Sequence, residues 1–166
     1  MLRAPLAVFH RLTSGVYVIG VAHAAQIDAF TAAWLTQVAF DPLLVAVSVN
    51  SANASYPLLI ESGGFVVNVL RSDQIALATH FGTQSGRDVN KIDGVRWRAG
   101  QFGAPVLSDA VAFLECRVTA THPAGDHVVV IGEVVDGAVF AEDATPLRYD
   151  ETGNIDGSAD LYPESF

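Results

Sequence analysis

The apolar residues of this chain come in short, valine-rich runs, and that limits its fold more than any other feature. Residues 16–21, 43–49, 65–70, 111–121 and 128–135 are each rich in β-branched side chains and of strand length, and such runs read as strands. Val45, Val47 and Val49 fall on one face of their run, with Ala46 and Ser48 on the other. Alternation with small residues on the second face suits a barrel covered on both sides. No helical segment recurs between the runs at the spacing a βαβ repeat needs. No G-x-G-x-x-G follows a strand either, which argues against a doubly wound dinucleotide fold. The expected fold class is all-β, antiparallel and barrel-like, with a few short helices.

Two helices are predicted. Ser55 is placed to cap residues 56–61, with Pro57 in the first turn, where its missing N–H costs nothing, and Ser62-Gly63-Gly64 to end them. Ser72 is placed to cap residues 73–81, with Asp73 in the first turn and Ile75, Ala78 and Thr79 turned inward. Residues 83–103 have no clear periodicity, yet carry Ser85, Arg87, Asp88, Asn90 and Lys91. Loops of that length are usually functional or disordered. No repeat or boundary divides the 166 residues. They read as one domain over 1–166, with its core at about 12–149 and a polar, acidic tail over 150–166.

Composition narrows the partners. A chain 51% hydrophobic and only 16% charged carries more apolar surface than one small domain buries, so a second copy is expected to cover some of it. The net charge of −9 repels phosphate backbones and anionic lipid, so neither nucleic acid nor a membrane is an expected partner. With Cys116 alone there is no intrachain disulfide and no Cys/Cys metal framework, and His122 and His127 lack companions for a metal site. Pro5 interrupts the apolar residues of 1–10, no signal-like cleavage site follows, and no run reaches the ~18–20 residues of a membrane span. A cytoplasmic protein is expected.

Four segments carry polar groups suited to a ligand. Thr31-Ala32-Ala33-Trp34-Leu35-Thr36 sets hydroxyls and an indole among small residues that let a flat ring approach the main chain; it equally fits a strand with an interface tryptophan. Ser48-Val49-Asn50-Ser51-Ala52-Asn53-Ala54-Ser55 offers clustered donors for a phosphate, or simply a turn. Ser85-Gly86-Arg87-Asp88-Val89-Asn90-Lys91 holds two of only nine cations, able to grip a phosphate or to pair locally. Gly125-Asp126-His127 opens a strand with an imidazole that can hydrogen-bond a ring edge, or with an incidental one. Neighbouring side chains on a strand point to opposite faces, so no pairing of Asp126 with His127 is assumed.

In order along the chain, these segments resemble the flavin reductase-like family, the FMN-binding split barrels. The landmarks are Thr31-x-x-Trp34, Asp41-Pro42-Leu43-Leu44-Val45-Ala46-Val47-Ser48-Val49-Asn50, Glu61 to Leu70, Ser85-Gly86-Arg87 with Lys91, Pro105-x-Leu107, Leu114-Glu115-Cys116, Gly125-Asp126-His127 with Gly132 and Val134, and Pro146-Leu147-x-Tyr149. Trp34 and Ser85-Gly86-Arg87 look closest to the flavoredoxin and monooxygenase-reductase branch. The resemblance implies an antiparallel Greek-key split barrel and a homodimer that holds FMN near its interface, with NAD(P)H as reductant. It implies that Thr31, Ala32, Ala33, Trp34, Leu35 and Thr36 lie along the flavin ring. Ser48, Asn50 and Ser55 would lie near the ribityl-phosphate, Ser85, Arg87 and Lys91 on the phosphate, and His127, the catalytic candidate, beside the ring. The chain departs from the family pattern at Asp28, where many relatives carry a neutral or basic residue, and at Ser51-Ala52-Asn53, which lacks the usual cation. Both departures shift weight to Arg87 and Lys91. The implied activity is NAD(P)H-dependent flavin reduction, with hydride passing from nicotinamide C4 to flavin N5, for a separate monooxygenase in the two-component case. Two alternatives stay open: a non-enzymatic FMN-binding flavoprotein or electron carrier of the same fold, and a barrel that binds another ligand such as haem.

Overall fold

A two-residue link decides the architecture. In a computed structural model, which describes residues 5–162, nine strands and three helices follow one another along the chain. The strands are β1 (Tyr17–His23), β2 (Gln26–Ala32), β3 (Leu35–Ala39), β4 (Leu44–Asn50), β5 (Gly64–Val69), β6 (Trp97–Ala99), β7 (Pro105–Leu107), β8 (Ala112–Ala124) and β9 (His127–Val139). The helices are α1 (Pro5–Phe9), α2 (Tyr56–Ser62) and α3 (Ile75–Thr83), and residues 1–4 of the amino-terminal stretch lie outside the described residues. Seven strands form one antiparallel sheet in the order β2-β1-β5-β8-β9-β4-β3, and β6 pairs with β7 apart from it.

Strands β2 and β3 therefore stand at opposite edges of the sheet, yet only Ala33 and Trp34 separate them. Three Cα steps reach about 11 Å, whereas six flat inter-strand spacings span about 29 Å. The sheet must roll until its edges approach, without a ladder between them. That is a split barrel.

The rolled interior is apolar. Ile19, Phe30, Val45, Val47, Val49, Phe65, Val67, Cys116 and Val130 meet inside it, and Leu58 and Leu59 of α2 plug one mouth. The predicted alternation of β4 holds, since Val45, Val47 and Val49 are buried. Strand β1 is buried on both faces, because Ala78 and Phe81 of α3, with Ile92, Leu107 and Leu147, cover Val16, Val18 and Ala29 from outside. The tail returns over this outer layer, where Tyr149 and Ile155 pack and the Tyr149 and Ser158 hydroxyls lie 2.6 Å apart.

Both helices differ from expectation at their starts. Ser55 stands at the N-cap of α2, but its hydroxyl makes no cap bond and donates instead to Asp28 Oδ2 at 2.5 Å. The other end of α2 is as predicted, with Gly63 in the left-handed conformation that glycine adopts without strain. Helix α3 begins at Ile75 behind Gln74, not behind Ser72, because Asp73 is engaged by the Arg71 guanidinium at 2.6 Å. Ala78 and Phe81 turn inward, while Ile75 is exposed.

Cys116 sits wholly inside the barrel. Burial, and after it the Glu115 charge, pushes its thiol from 9.0 up to about 12. A thiol protonated in the fold but free to ionise in the unfolded chain contributes stability fully below the unfolded value, and loses it as pH rises through the folded one. We expect the native thiol to resist thiol reagents at neutral pH and react only as fast as the chain unfolds. We also expect the urea midpoint to fall as pH rises above 9.0. Stoichiometric labelling of the folded protein would contradict this burial.

Candidate functional site

The β4–β9 register builds one rim of the barrel. It sets Asn50 opposite His127 and Ser48 opposite Val129. The Ser48 N–H donates to the Trp34 carbonyl at 2.9 Å, which draws the β2–β3 link onto the same rim. The Trp34 and His127 rings lie 5.0 Å apart at 49°, and the indole is 54% exposed. An indole and an imidazole at that tilt make a ledge for a flat ring.

Asp126 and His127 do pair, with His127 Nδ1 2.7 Å from Asp126 Oδ1. The reason is that Asp126 is not on the strand. It follows Gly125, whose φ of 65° makes the tight turn of the β8–β9 hairpin. A carboxylate partner fixes the proton on Nδ1 and leaves Nε2 as the second polar atom of the ring. The His127 hydrogen bond, and then its charge, holds the Asp126 carboxyl below its ordinary value.

From the rim the chain turns through residues 50–55. Asn50 Oδ1 accepts the Ala52 N–H at 2.9 Å, and Asn53 Oδ1 accepts the Ser55 N–H at 2.9 Å. The loop after α3 meets this turn: the Arg87 guanidinium donates to the Ala52 carbonyl at 3.1 Å, and Ser85 Oγ accepts the Arg87 N–H at 3.2 Å. A ring ledge and an exposed guanidinium are thus joined by one short stretch of chain.

Two expected phosphate ligands lie elsewhere. Ser55 is fully buried, and the Lys91 side chain is only 2% exposed. Lys91 Nζ pairs with Asp28 Oδ1 at 3.3 Å, and the same carboxylate takes the Ser55 hydroxyl and the Ala29 N–H, the latter at 2.8 Å. Gly86 closes over it, and a Cβ there would run into the Asp28 carboxylate. A ligand phosphate would have to break this pair to reach Ser55 or Lys91. Sequence reasoning noticed Asp28 only as a departure; its burial depends on partners distant in sequence.

The residues of the β2–β3 segment also divide. Ala32 faces the barrel core, and Leu35 packs against it. Thr31 points to the outer face and donates to the Ala78 carbonyl at 2.7 Å. Ala33, Trp34 and Thr36 reach the surface, where the Thr36 hydroxyl donates to the Gln37 carbonyl at 3.3 Å. Behind them Thr31, Ala33, Gly82, Tyr149 and Asp156 line a recess of about 80 Å³. Ligand pockets usually measure ~300–1,000 Å³, so the recess is too small for a flavin. The residues present fit a flavin as an open ledge with a cation at one end, not as an enclosed slot. Among the described residues no cluster of His, Cys, Asp or Glu is set to hold a metal, and no helix is long and apolar enough to cross a membrane.

Fold and site together define a split barrel with an open rim where the β2–β3 link meets β4 and β9. The chain belongs to the flavin reductase-like family, whose domain model matches residues 9–155. It is 37% identical over 127 residues to an NADH-dependent FMN reductase of Streptomyces nodosus, covering 74% of this chain and 67% of that protein. It is 34% identical over 142 residues to a high molecular weight rubredoxin of Moorella thermoacetica, covering 84% of this chain. Among solved structures, an NADH:FAD oxidoreductase of Streptomyces globisporus superposes with a TM-score of 0.81 at 29% identity, over 87% of this chain and 86% of that one. The chain spans only 62% of the Moorella protein and 26% of a diflavin flavoprotein of Synechocystis.

Proposed function

We propose that this chain is an NAD(P)H-dependent flavin reductase that takes FMN on the Trp34–His127 rim. The observation that carries the reading is the ledge itself: two rings in tilted contact, tied through residues 50–52 to the Arg87 guanidinium. Trp34 stacks the isoalloxazine, with Ala33 and Thr36 along its edge. Ser48 and Asn50 face the ribityl chain. Arg87, with Ser85 beneath it, meets the phosphate. The remaining candidates of the β2–β3 segment, Thr31, Ala32 and Leu35, hold the rim from below. The bound flavin supplies the two-electron acceptor. His127, its Nδ1–H held by Asp126, accepts at Nε2 a hydrogen bond that fixes the reductant or the ring edge. This agrees with the NADH-dependent FMN reductase among the relatives, and with a nitrilotriacetate monooxygenase component B from Mycobacterium thermoresistibile, whose structure superposes with a TM-score of 0.80 at 27% identity. A separate monooxygenase would then receive the reduced flavin in the cytoplasm.

A homodimer completes the site. Edge strand β3 and its flanks expose Trp34, Val38, Leu43 and Phe40, the last 92% exposed, beside a ledge with no second wall. Such apolar surface marks an interface, and self-association is most often two-fold. Sedimentation is expected to give a dimer at micromolar concentration; a stable 17.6 kDa species with flavin bound would contradict it. The activity itself is tested by nicotinamide oxidation with FMN, FAD and riboflavin in turn. Repeated turnover with FMN is expected. Binding without turnover would instead support an electron carrier of the same fold.

A further inference from the structure

The Asp28 cluster has the make-up of an anion site whose anion belongs to the chain. A buried ammonium, a buried hydroxyl and a main-chain N–H converge on one point, with a glycine giving room. These are the donors that hold a phosphate elsewhere. Here the point is occupied by the Asp28 carboxylate, which satisfies all three. Arg87, four residues before Lys91 in the same loop, stays outside with its guanidinium exposed and bound to the Ala52 carbonyl. The Lys91 carbonyl is held in turn by His80 Nε2 at 2.7 Å, so the loop is fixed from both sides of Lys91.

We infer that Asp28 is the positioning and specificity residue of the flavin site: it fills from within the chain the anion seat of Ser55, Ala29 and Lys91, so that Arg87 alone meets the flavin phosphate. This rests on the flavin reading above. The carboxylate does two things at once. It anchors the Ser85–Lys91 loop through Lys91, and it turns a second phosphate away, because an anion entering the seat would meet a like charge at van der Waals range. Preference for FMN over riboflavin then depends on the one exposed guanidinium.

The test is the ratio of riboflavin to FMN dissociation constants in wild type and three variants. Wild type should favour FMN roughly tenfold or more, the value of one charge-assisted bond. Arg87→Ala should bring the ratio to about one. Asp28→Asn leaves the shape of the seat and removes its charge, freeing Lys91, so the ratio should rise above wild type by roughly another tenfold. The double variant Asp28→Asn/Lys91→Gln should return it to the wild-type value. A purely structural Asp28 would not raise the ratio, so an unchanged or lowered ratio in Asp28→Asn overturns the inference. Should Asp28→Asn fail to fold, the double variant decides, because a ratio near one there makes Lys91 the phosphate ligand and overturns the inference equally. Inorganic phosphate provides a readout free of flavin: it should raise the thermal midpoint of Asp28→Asn more than that of wild type. If wild type binds neither flavin, the flavin reading fails, and the phosphate shift still decides whether the seat exists.

Discussion

Replacing Lys91 by alanine is expected to destabilise the fold by about 3–5 kcal/mol, the usual cost of leaving one member of a buried ion pair unpartnered. That is a large share of the ~5–15 kcal/mol by which domains are stable. The Asp28 carboxylate would keep the Ser55 hydroxyl and the Ala29 N–H but lose its counter-charge, in a place shielded from water. Left so, it would draw in water, which loosens the strap between β2 and the loop after α3. Arg87→Ala should behave differently, because its side chain is exposed and makes a single bond to a main-chain carbonyl. From sequence, the two cations look alike, neighbours in a polar loop that could both be removed without harm. The structure separates them, one as internal strut and one as surface group. Urea unfolding of the two single variants checks this: a midpoint for Lys91→Ala equal to that of wild type would mean that the buried pair does not form.

His127→Ala is expected to lower kcat/KM for the nicotinamide nucleotide by roughly tenfold or more, about one hydrogen bond at the transition state. Flavin affinity should change much less, since Trp34 keeps its own main-chain support through Ser48. The imidazole is held by Asp126, so Asp126→Asn should show a weaker form of the same defect, with the ring less firmly oriented. Loss of flavin binding with unchanged turnover per bound flavin would be the opposite pattern. It would move His127 into the flavin site and leave the reductant's contacts to other residues.

Much of the barrel was legible because its strands obey local rules. The alternation in β4 and the valine-rich runs of β1 and β5 need only their own residues to be recognised, and the β8–β9 hairpin announces its turn with Gly125. Strand β2 was not legible. Gln26 and Asp28 break its apolar pattern, and Asp28 is tolerated inside only because Ser55, 27 residues away, and Lys91 beyond it supply the donors. For the same reason Lys91, between two residues that read as loop, looked solvated. The rolling of the sheet follows from the two-residue β2–β3 link, but that link cannot be read until β2 and β3 are known to be strands. Trp34 and His127 were each singled out from the sequence. What the sequence could not supply was their contact, which depends on the register that sets Asn50 against His127.

That the Trp34–His127 rim presents a flavin to a nicotinamide reductant is the reading on which the proposed function rests. Its most direct test is anaerobic mixing of the protein with FMN and then NADH or NADPH, following the flavin absorbance. The flavin is expected to bleach at a rate that rises with protein concentration, free flavin in excess of protein to be consumed, and His127→Ala to slow bleaching without abolishing FMN binding. Flavin absorbance that decays no faster with the protein than without it, for FMN, FAD and riboflavin and for both nucleotides, would contradict it.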